Sequence, residues 1–218
     1  MEKIAIILPS RGMIFSQVMD AIERERKGYE TKLYISHNLP IPSGHNHLVE
    51  LALADGNEYL FLIEEDTVPP ARAIEKLLAV HADIACIDYG VSGWGCVTKN
   101  NQGEILWCGL GNVLIRREVF EAMQYPYFRV DKVLRLNDWT WQDLPEDYAK
   151  SKGYGGLDIW FFSEARRLGF KINQVEGEEA VHLQLDELGK RGINNGLHTI
   201  SEKPKIEKRQ ILEEGKPI

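Results

Sequence analysis

The sequence predicts an α/β fold with a mostly parallel central sheet, helices on both faces and a small antiparallel addition. Three observations predict it. Short apolar runs alternate with segments of helical period from Lys3 to Ile87, the rhythm of strands joined by right-handed crossovers. Prolines, glycines and acidic residues punctuate that alternation. After Asp88 the pattern changes to a turn-rich stretch, where a hairpin is expected. With 218 residues, 44% hydrophobic and 27% charged, the chain can bury a full core, and it reads as one domain over residues 1–200 with a charged extension at 201–218.

Residues 3–8 read as a buried strand closed by Pro9-Ser10-Arg11-Gly12, and Phe15 to Arg26 places Phe15, Val18, Met19 and Ile22 on one helical face. Thr31 to Ser36 is the second strand. A Pro/Gly-rich loop follows, then a helix from His47 to Ala54 that Asp55-Gly56 stops. The third strand, Glu58 to Ile63, must end before Pro69-Pro70, because neither proline has an N–H for a ladder. Pro70 suits the first turn of a helix carrying Ile74, Leu77 and Leu78, and Asp83 to Ile87 forms the fourth strand.

Asn100-Asn101-Gln102-Gly103 marks the turn of a hairpin leading into a strand at Gly111–Ile115. Residues 131–156 are long and irregular, with Trp139, Trp141, Tyr148 and Tyr154 and a hinge at Gly155-Gly156, the character of a lid. Leu157 to Leu168 is a helix ended by Gly169, and short strands near 171–175 and 179–183 close the domain. Residues 201–218, rich in Lys, Glu and Pro, have little to pack and read as an arm for docking a partner or a second copy.

A net charge of -7 and a pI near 5.5 argue against a broad electrostatic footprint on nucleic acid or anionic membrane. Three cysteines, Cys86, Cys96 and Cys108, have neither even number nor zinc-type spacing, which points to reduced thiols and a cytoplasmic setting. The apolar run Ile4–Leu8 is too short to span a membrane and lacks a signal-peptide layout.

Chemistry concentrates where Tyr59–Ile63 runs into Glu64-Glu65-Asp66. A buried strand ending this way delivers carboxylates to the carboxyl edge of the sheet, where open α/β folds bind ligands. Hard cations such as Mg²⁺ and Mn²⁺ prefer such oxygen donors and bridge them to phosphates, so the triplet reads as a metal–diphosphate site or, more blandly, as a solvated acidic turn. Asp158 stands at a helix start, either as a cap or as a general base. His182 follows a short apolar segment, as a metal ligand or a structural histidine. His45 and His47 flank Asn46 and read as donor-loop or surface residues. Arg11 and Ser36-His37-Asn38 follow the first two strands, where a doubly wound fold touches a nucleotide, or are turn chemistry. No Walker loop, GxGxxG or nucleophile elbow is present.

In this order the pieces resemble the GT-A (Rossmann-like) fold nucleotide-sugar glycosyltransferases, family 2-like, across residues 3–185. Ile4 through Pro9-Ser10-Arg11 looks like the family's opening strand and base-binding turn. Gly44-His45-Asn46-His47 is similar to its Arg-Asn helix start, with His45 in the arginine's place. Glu64-Glu65-Asp66 looks like the DxD motif, Cys108-Gly109-Leu110-Gly111-Asn112 like the segment near donor sugar and acceptor, and Leu157-Asp158 like the Glu-Asp motif. Val181-His182-Leu183 resembles the late metal-ligating histidine.

The resemblance implies a metal-dependent, hexosyltransferase-like enzyme that moves a sugar from a UDP- or GDP-sugar to an acceptor hydroxyl with inversion. Pro9, Arg11, Ser36, Asn46, Glu64, Glu65, Gly109 and Gly111 would contact the donor. Glu64, Asp66 and His182 would hold Mn²⁺ or Mg²⁺, and Asp158 would be the base. The acceptor class stays open among saccharide, lipid-linked glycan, protein and modified nucleic acid. Two rivals differ in class: a nucleotidyltransferase, for which Pro9-Ser10-Arg11-Gly12 is a poor phosphate loop, and a non-catalytic nucleotide-sugar binding protein.

Overall fold

The first apolar run becomes an inner strand. β1 (Lys3–Ser10) is buried from Ile4 onward and pairs in parallel with β2 (Glu30–His37) on one side and β3 (Tyr59–Ile63) on the other. The computed structural model describes residues 2–37, 39–91, 94–135, 140–143, 156–185 and 191–193. Strand β9 (Asn112–Arg116) runs antiparallel between β3 and β5 (Ile84–Val91), and β12 (Ile172–Leu185) lies parallel to β5. β13 (Arg191–Ile193) completes the path β2-β1-β3-β9-β5-β12-β13. β9 is reversed because it is entered from the turn-rich segment after β5 and not from a crossover helix, which parallel pairing requires.

Alternate residues of these strands serve opposite faces. Ala5, Ile7, Leu60 and Leu62 meet α2 (Ile41–Ala54), α4 (Arg117–Ala122) and α5 (Leu157–Arg167) through Leu48, Val49, Phe120, Phe161 and Phe162. Ile4, Ile6, Leu8, Phe61 and Ile63 meet α1 (Ser16–Glu25) and α3 (Ala73–Ala79) through Val18, Ile22, Ile74 and Leu77. Burial on both faces is why the central strands read as unbroken apolar runs. Each fully buried Leu or Ile contributes about 2 kcal/mol to this core.

The α/β class, the mostly parallel sheet, the helices on both faces and the antiparallel addition are as the sequence predicts. The hairpin forms from β7 (Thr98–Lys99) and β8 (Ile105–Trp107), and its turn is held by the Asn100 side chain, which accepts from the N–H groups of Gln102 (3.0 Å) and Glu104 (2.9 Å). Short strands β4 (Thr67–Val68) and β6 (Trp94–Gly95) join the main sheet, while β10 (Lys132–Arg135) and β11 (Thr140–Asp143) form their own ribbon.

Two expectations change. α2 starts at Ile41 and not at His47, because Pro42 falls in the first turn, where a missing N–H costs nothing. The strands expected near 171–175 and 179–183 are one strand, β12, with an irregularity between Gln174 and Glu179. Trp139, Tyr148, Tyr154, Gly155, Asn38 and the extension 201–218 lie outside the described residues. Among the described residues no helix is long and apolar enough to cross a membrane.

Candidate active site

β3 stops at Ile63, and the acidic turn that follows is pinned against β12. β4 pairs with β12 in the register Thr67↔His182, and the Leu183 N–H donates to the Asp66 carbonyl at 2.7 Å. This pairing brings His182 Nε2 to 3.5 Å from Asp66 Oδ2. The same oxygen has Arg11 Nη2 3.9 Å away.

The three acids of the turn part company. Glu65, 7% exposed, points back to β1. Its Oε2 accepts from the Ser10 hydroxyl and the Arg11 N–H, both at 2.8 Å, and its Oε1 accepts from Arg11 Nε at 2.6 Å. Glu65 thus ties the ends of β1 and β3 together and fixes the root of the Arg11 guanidinium. Burial works against that cation, but the Glu65 hydrogen bond and the charges of Glu65, Asp66 and Glu64 raise its pKa. Glu64 instead accepts from the Tyr89 hydroxyl at 3.3 Å.

Tyr89, buried at the end of β5, joins several of these parts. Its hydroxyl accepts from the Gly111 N–H at 3.3 Å, and its ring meets His182 edge-on with centroids 5.7 Å apart. The Thr67 hydroxyl donates to the Gly111 carbonyl at 2.8 Å and accepts from the Glu64 N–H at 3.1 Å. Gly111 has to be glycine here: a Cβ would lie 2.8 Å from Thr67 Cγ2 and 3.1 Å from Glu64 Oε2. Gly109 is just as crowded, with Tyr89 Oη 2.1 Å from where its Cβ would be.

Asp158 stands in the first turn of α5. Gly156, at φ 78°, starts the helix in a left-handed conformation that disfavours other residues. Leu157, Phe161, Phe162 and Ala165 bury one face of the helix and so fix where its first turn lands. Burial pushes the Asp158 pKa up, opposed by the N–H groups of Ile159 and of Asp158 itself. Its charge is felt at Glu64, whose pKa is pushed up to about 7 by burial first, then by Asp66, with Asp158 adding and His182 and Tyr89 subtracting. Burial would lower the His182 pKa, but its hydrogen bond to Asp66 and the charges of Asp66 and Glu64 raise it overall.

Among the described residues, no three His, Cys, Asp or Glu side chains are already gathered at metal-binding spacing. Asp66 and His182 are in place, while Glu64 is turned toward Tyr89.

The donor-side residues divide. Pro9 and Ser36 are in register at the ends of β1 and β2, and the buried Ser36 hydroxyl has no partner among the described residues. Asn46 is a structural tie, with its amide donating to the Phe128 carbonyl at 2.9 Å and accepting from the Phe128 N–H at 3.1 Å. His45 is not a loop or surface residue. The early start of α2 buries it to 1% exposure, with Nδ1 2.8 Å from the Ile41 carbonyl and its ring 5.1 Å from Phe128. Trp141 packs edge-on against Trp160 of α5 at 5.0 Å, and the Arg129 guanidinium lies 5.1 Å from the Trp160 ring. A groove of about 930 Å³ beside Trp141, Arg167 and Phe170 lies toward the far end of α5, away from the acidic turn.

Sequence reasoning missed Tyr89 and Thr67. Their roles come from partners 22 to 44 residues away in the case of Tyr89 and Thr67 with Gly111, which no local pattern reveals.

No family model matches the chain, and no curated protein matches it significantly. Solved structures do. The protein A197 from STIV aligns over 89% of this chain and 95% of its own, with a TM-score of 0.58 and 19% identity. The mannosyltransferase PcManGT from Pyrobaculum calidifontis, in complex with GDP-Man and Mn²⁺, aligns over 81% of this chain and 55% of its own, with a TM-score of 0.48 and 10% identity. CMP:2-keto-3-deoxy-manno-octonic acid synthetase complexed with CTP aligns over 80% and 89%, with a TM-score of 0.45 and 11% identity. At 19% identity the likeness to A197 is one of fold alone.

Proposed function

We propose that the chain is a metal-dependent glycosyltransferase that moves a sugar from a nucleoside-diphosphate donor to an acceptor hydroxyl with inversion. One observation carries the reading: at the carboxyl edge of the sheet His182 lies 3.5 Å from Asp66, from segments far apart in the chain. Strand ends of this kind are where open α/β sheets hold ligands.

The donor chemistry suits a hard divalent cation, with carboxylate oxygens of Asp66 and Glu64 beside an imidazole nitrogen. Burial first, and then the charge of Asp66, pushes the Glu64 pKa up to about 7, and a cation would offset both by favouring the ionised carboxylate. Asp66 and His182 would hold Mn²⁺ or Mg²⁺, with Glu64 as the third donor. Bound there, the ion supplies positive charge against the departing diphosphate, which the transition state needs more than the ground state.

The chain's own residues do the rest. Arg11, anchored by Glu65, presents its guanidinium beside the donor phosphates. Pro9 and Ser36 frame the nucleobase end, whereas Asn46 acts only by holding Phe128. Asp158 takes the proton of the acceptor hydroxyl as that oxygen bonds the anomeric carbon and the bond to the diphosphate breaks. A single displacement of this kind inverts configuration. Burial strengthens Asp158 as a base, and the amino end of α5 favours its ionised form.

The test is a donor screen. UDP-, GDP-, CMP- and dTDP-sugars are incubated with Mn²⁺, nucleotide release is followed, and the active donor is repeated with Asp66→Ala and Asp158→Asn. The first variant is expected to lose metal-dependent donor binding. The second keeps binding and loses transfer by roughly 10²-fold or more. Activity in both variants equal to that of the unaltered chain removes the mechanism, and activity that survives a chelator removes the cation.

A further inference from the structure

Asn112 opens β9 directly across from Ile63, the last residue of β3 before the acidic turn. It is 0% exposed, and neither its amide oxygen nor its amide nitrogen has a hydrogen-bond partner among the described residues. The strand positions around it are Ile63, Val113 and Leu114, all buried. An amide in such surroundings destabilises the fold unless something takes up its hydrogen bonds, and leucine would fill the same space without that cost. The other buried side chain left without a partner is Ser36, also at this edge, at the end of β2. Both orphaned polar groups of the described structure therefore lie on the ligand edge of the sheet. Asn112 is also bonded in the chain to Gly111, whose carbonyl and N–H hold Thr67 and Tyr89, the two groups that fix Glu64.

We propose that Asn112 is a positioning residue of this site: its amide holds an ordered water beneath the acidic turn and, through Gly111, keeps Thr67, Tyr89 and Glu64 in the arrangement that binds the donor. A water there would take up the hydrogen bonds of the buried Asn112 amide. The ligand part of the proposal rests on the glycosyltransferase reading, whereas the water does not. Retaining a polar group that weakens the fold is expected where function depends on it.

The experiment compares the unaltered chain with Asn112→Leu and Asn112→Ser, measuring thermal melting and the affinity for UDP and GDP in the presence of Mn²⁺. Asn112→Leu is expected to melt at the same temperature or higher, yet to bind the preferred nucleotide at least tenfold more weakly. Asn112→Ser keeps a hydroxyl and room for water, and is expected to recover most of that binding. A merely structural asparagine gives the opposite pattern, with the melting temperature lowered and affinity intact. Unchanged affinity in Asn112→Leu, or Asn112→Ser binding no better than Asn112→Leu, overturns the proposal. If the unaltered chain binds none of UDP, GDP, CMP and dTDP, the transferase reading falls and the water is examined directly in a crystal structure. Density for a water bonded to the Asn112 amide upholds it there, and an amide that is bare or bonded to a protein group removes it.

Discussion

Replacing His45 with leucine should abolish an acid sensitivity that the fold carries at a single residue. His45 is 1% exposed inside α2 and its ring packs on Phe128. Burial lowers its pKa from 6.5 to about 4, with the hydrogen bond to the Ile41 carbonyl opposing the shift only in part. A folded-state pKa below the unfolded one means that the unfolded chain binds the proton more tightly. The neutral imidazole's contribution is therefore complete above about pH 6.5 and is lost as pH falls through the folded pKa near 4. At 1.36 kcal/mol per pKa unit the loss amounts to about 3 kcal/mol, a large fraction of the 5–15 kcal/mol by which a domain is typically stable. Urea unfolding of the unaltered chain and of His45→Leu at several pH values between 7 and 4 measures it. Acidic side chains titrate in both proteins and cancel in the difference. The gap between the two stabilities should shift by about 3 kcal/mol in favour of the variant as pH falls. Parallel curves would show that the imidazole is hydrated or charged in the folded state and would refute the reasoning.

Other perturbations act at the acidic turn. Gly111→Ala forces a methyl group against Thr67 and Glu64, so unfolding should become easier by about 1–3 kcal/mol, and Mn²⁺-dependent nucleotide binding, followed by calorimetry, should weaken at the same time. Tyr89→Phe removes the hydroxyl between the Gly111 N–H and the Glu64 carboxylate, for an expected loss of about 1–2 kcal/mol in denaturant titration with an unchanged circular dichroism spectrum; no loss would mean that this bridge does not form. Glu65→Ala strips the acceptors from Ser10 and Arg11 and should cost about 2 kcal/mol or more, with Glu65→Gln restoring part of it, since the amide keeps one acceptor oxygen.

Much of the fold was legible because its signals are local. The runs at Ile4–Leu8 and Leu60–Ile63 are buried on both faces, so their unbroken hydrophobicity announced inner strands. Asn100 announced a hairpin turn through side-chain chemistry confined to a few residues. The start of α2 was misplaced because Pro42 and Gly44 look like loop residues, whereas in the fold His45 and Asn46 of this turn pack against Phe128. The acidic triplet was legible as a cluster but not as a division of labour. Whether Glu65 faces Arg11 and Glu64 faces Tyr89 is set by which strand lies on each side of β3.

By itself the sequence determined the α/β class, the alternation of strands and helices as far as β5, and the acidic cluster that follows β3, because periodicity, turn chemistry and composition act over short stretches of chain. Tertiary structure alone decided which residues meet that cluster. It set His182 beside Asp66 by pairing β4 with β12, and it brought Asp158 within electrostatic reach of Glu64 by docking α5 on the sheet. It also left Asn112 buried and without a partner among the described residues. Such outcomes depend on the relative placement of strands and helices distant in the chain, and no interaction between near neighbours encodes it.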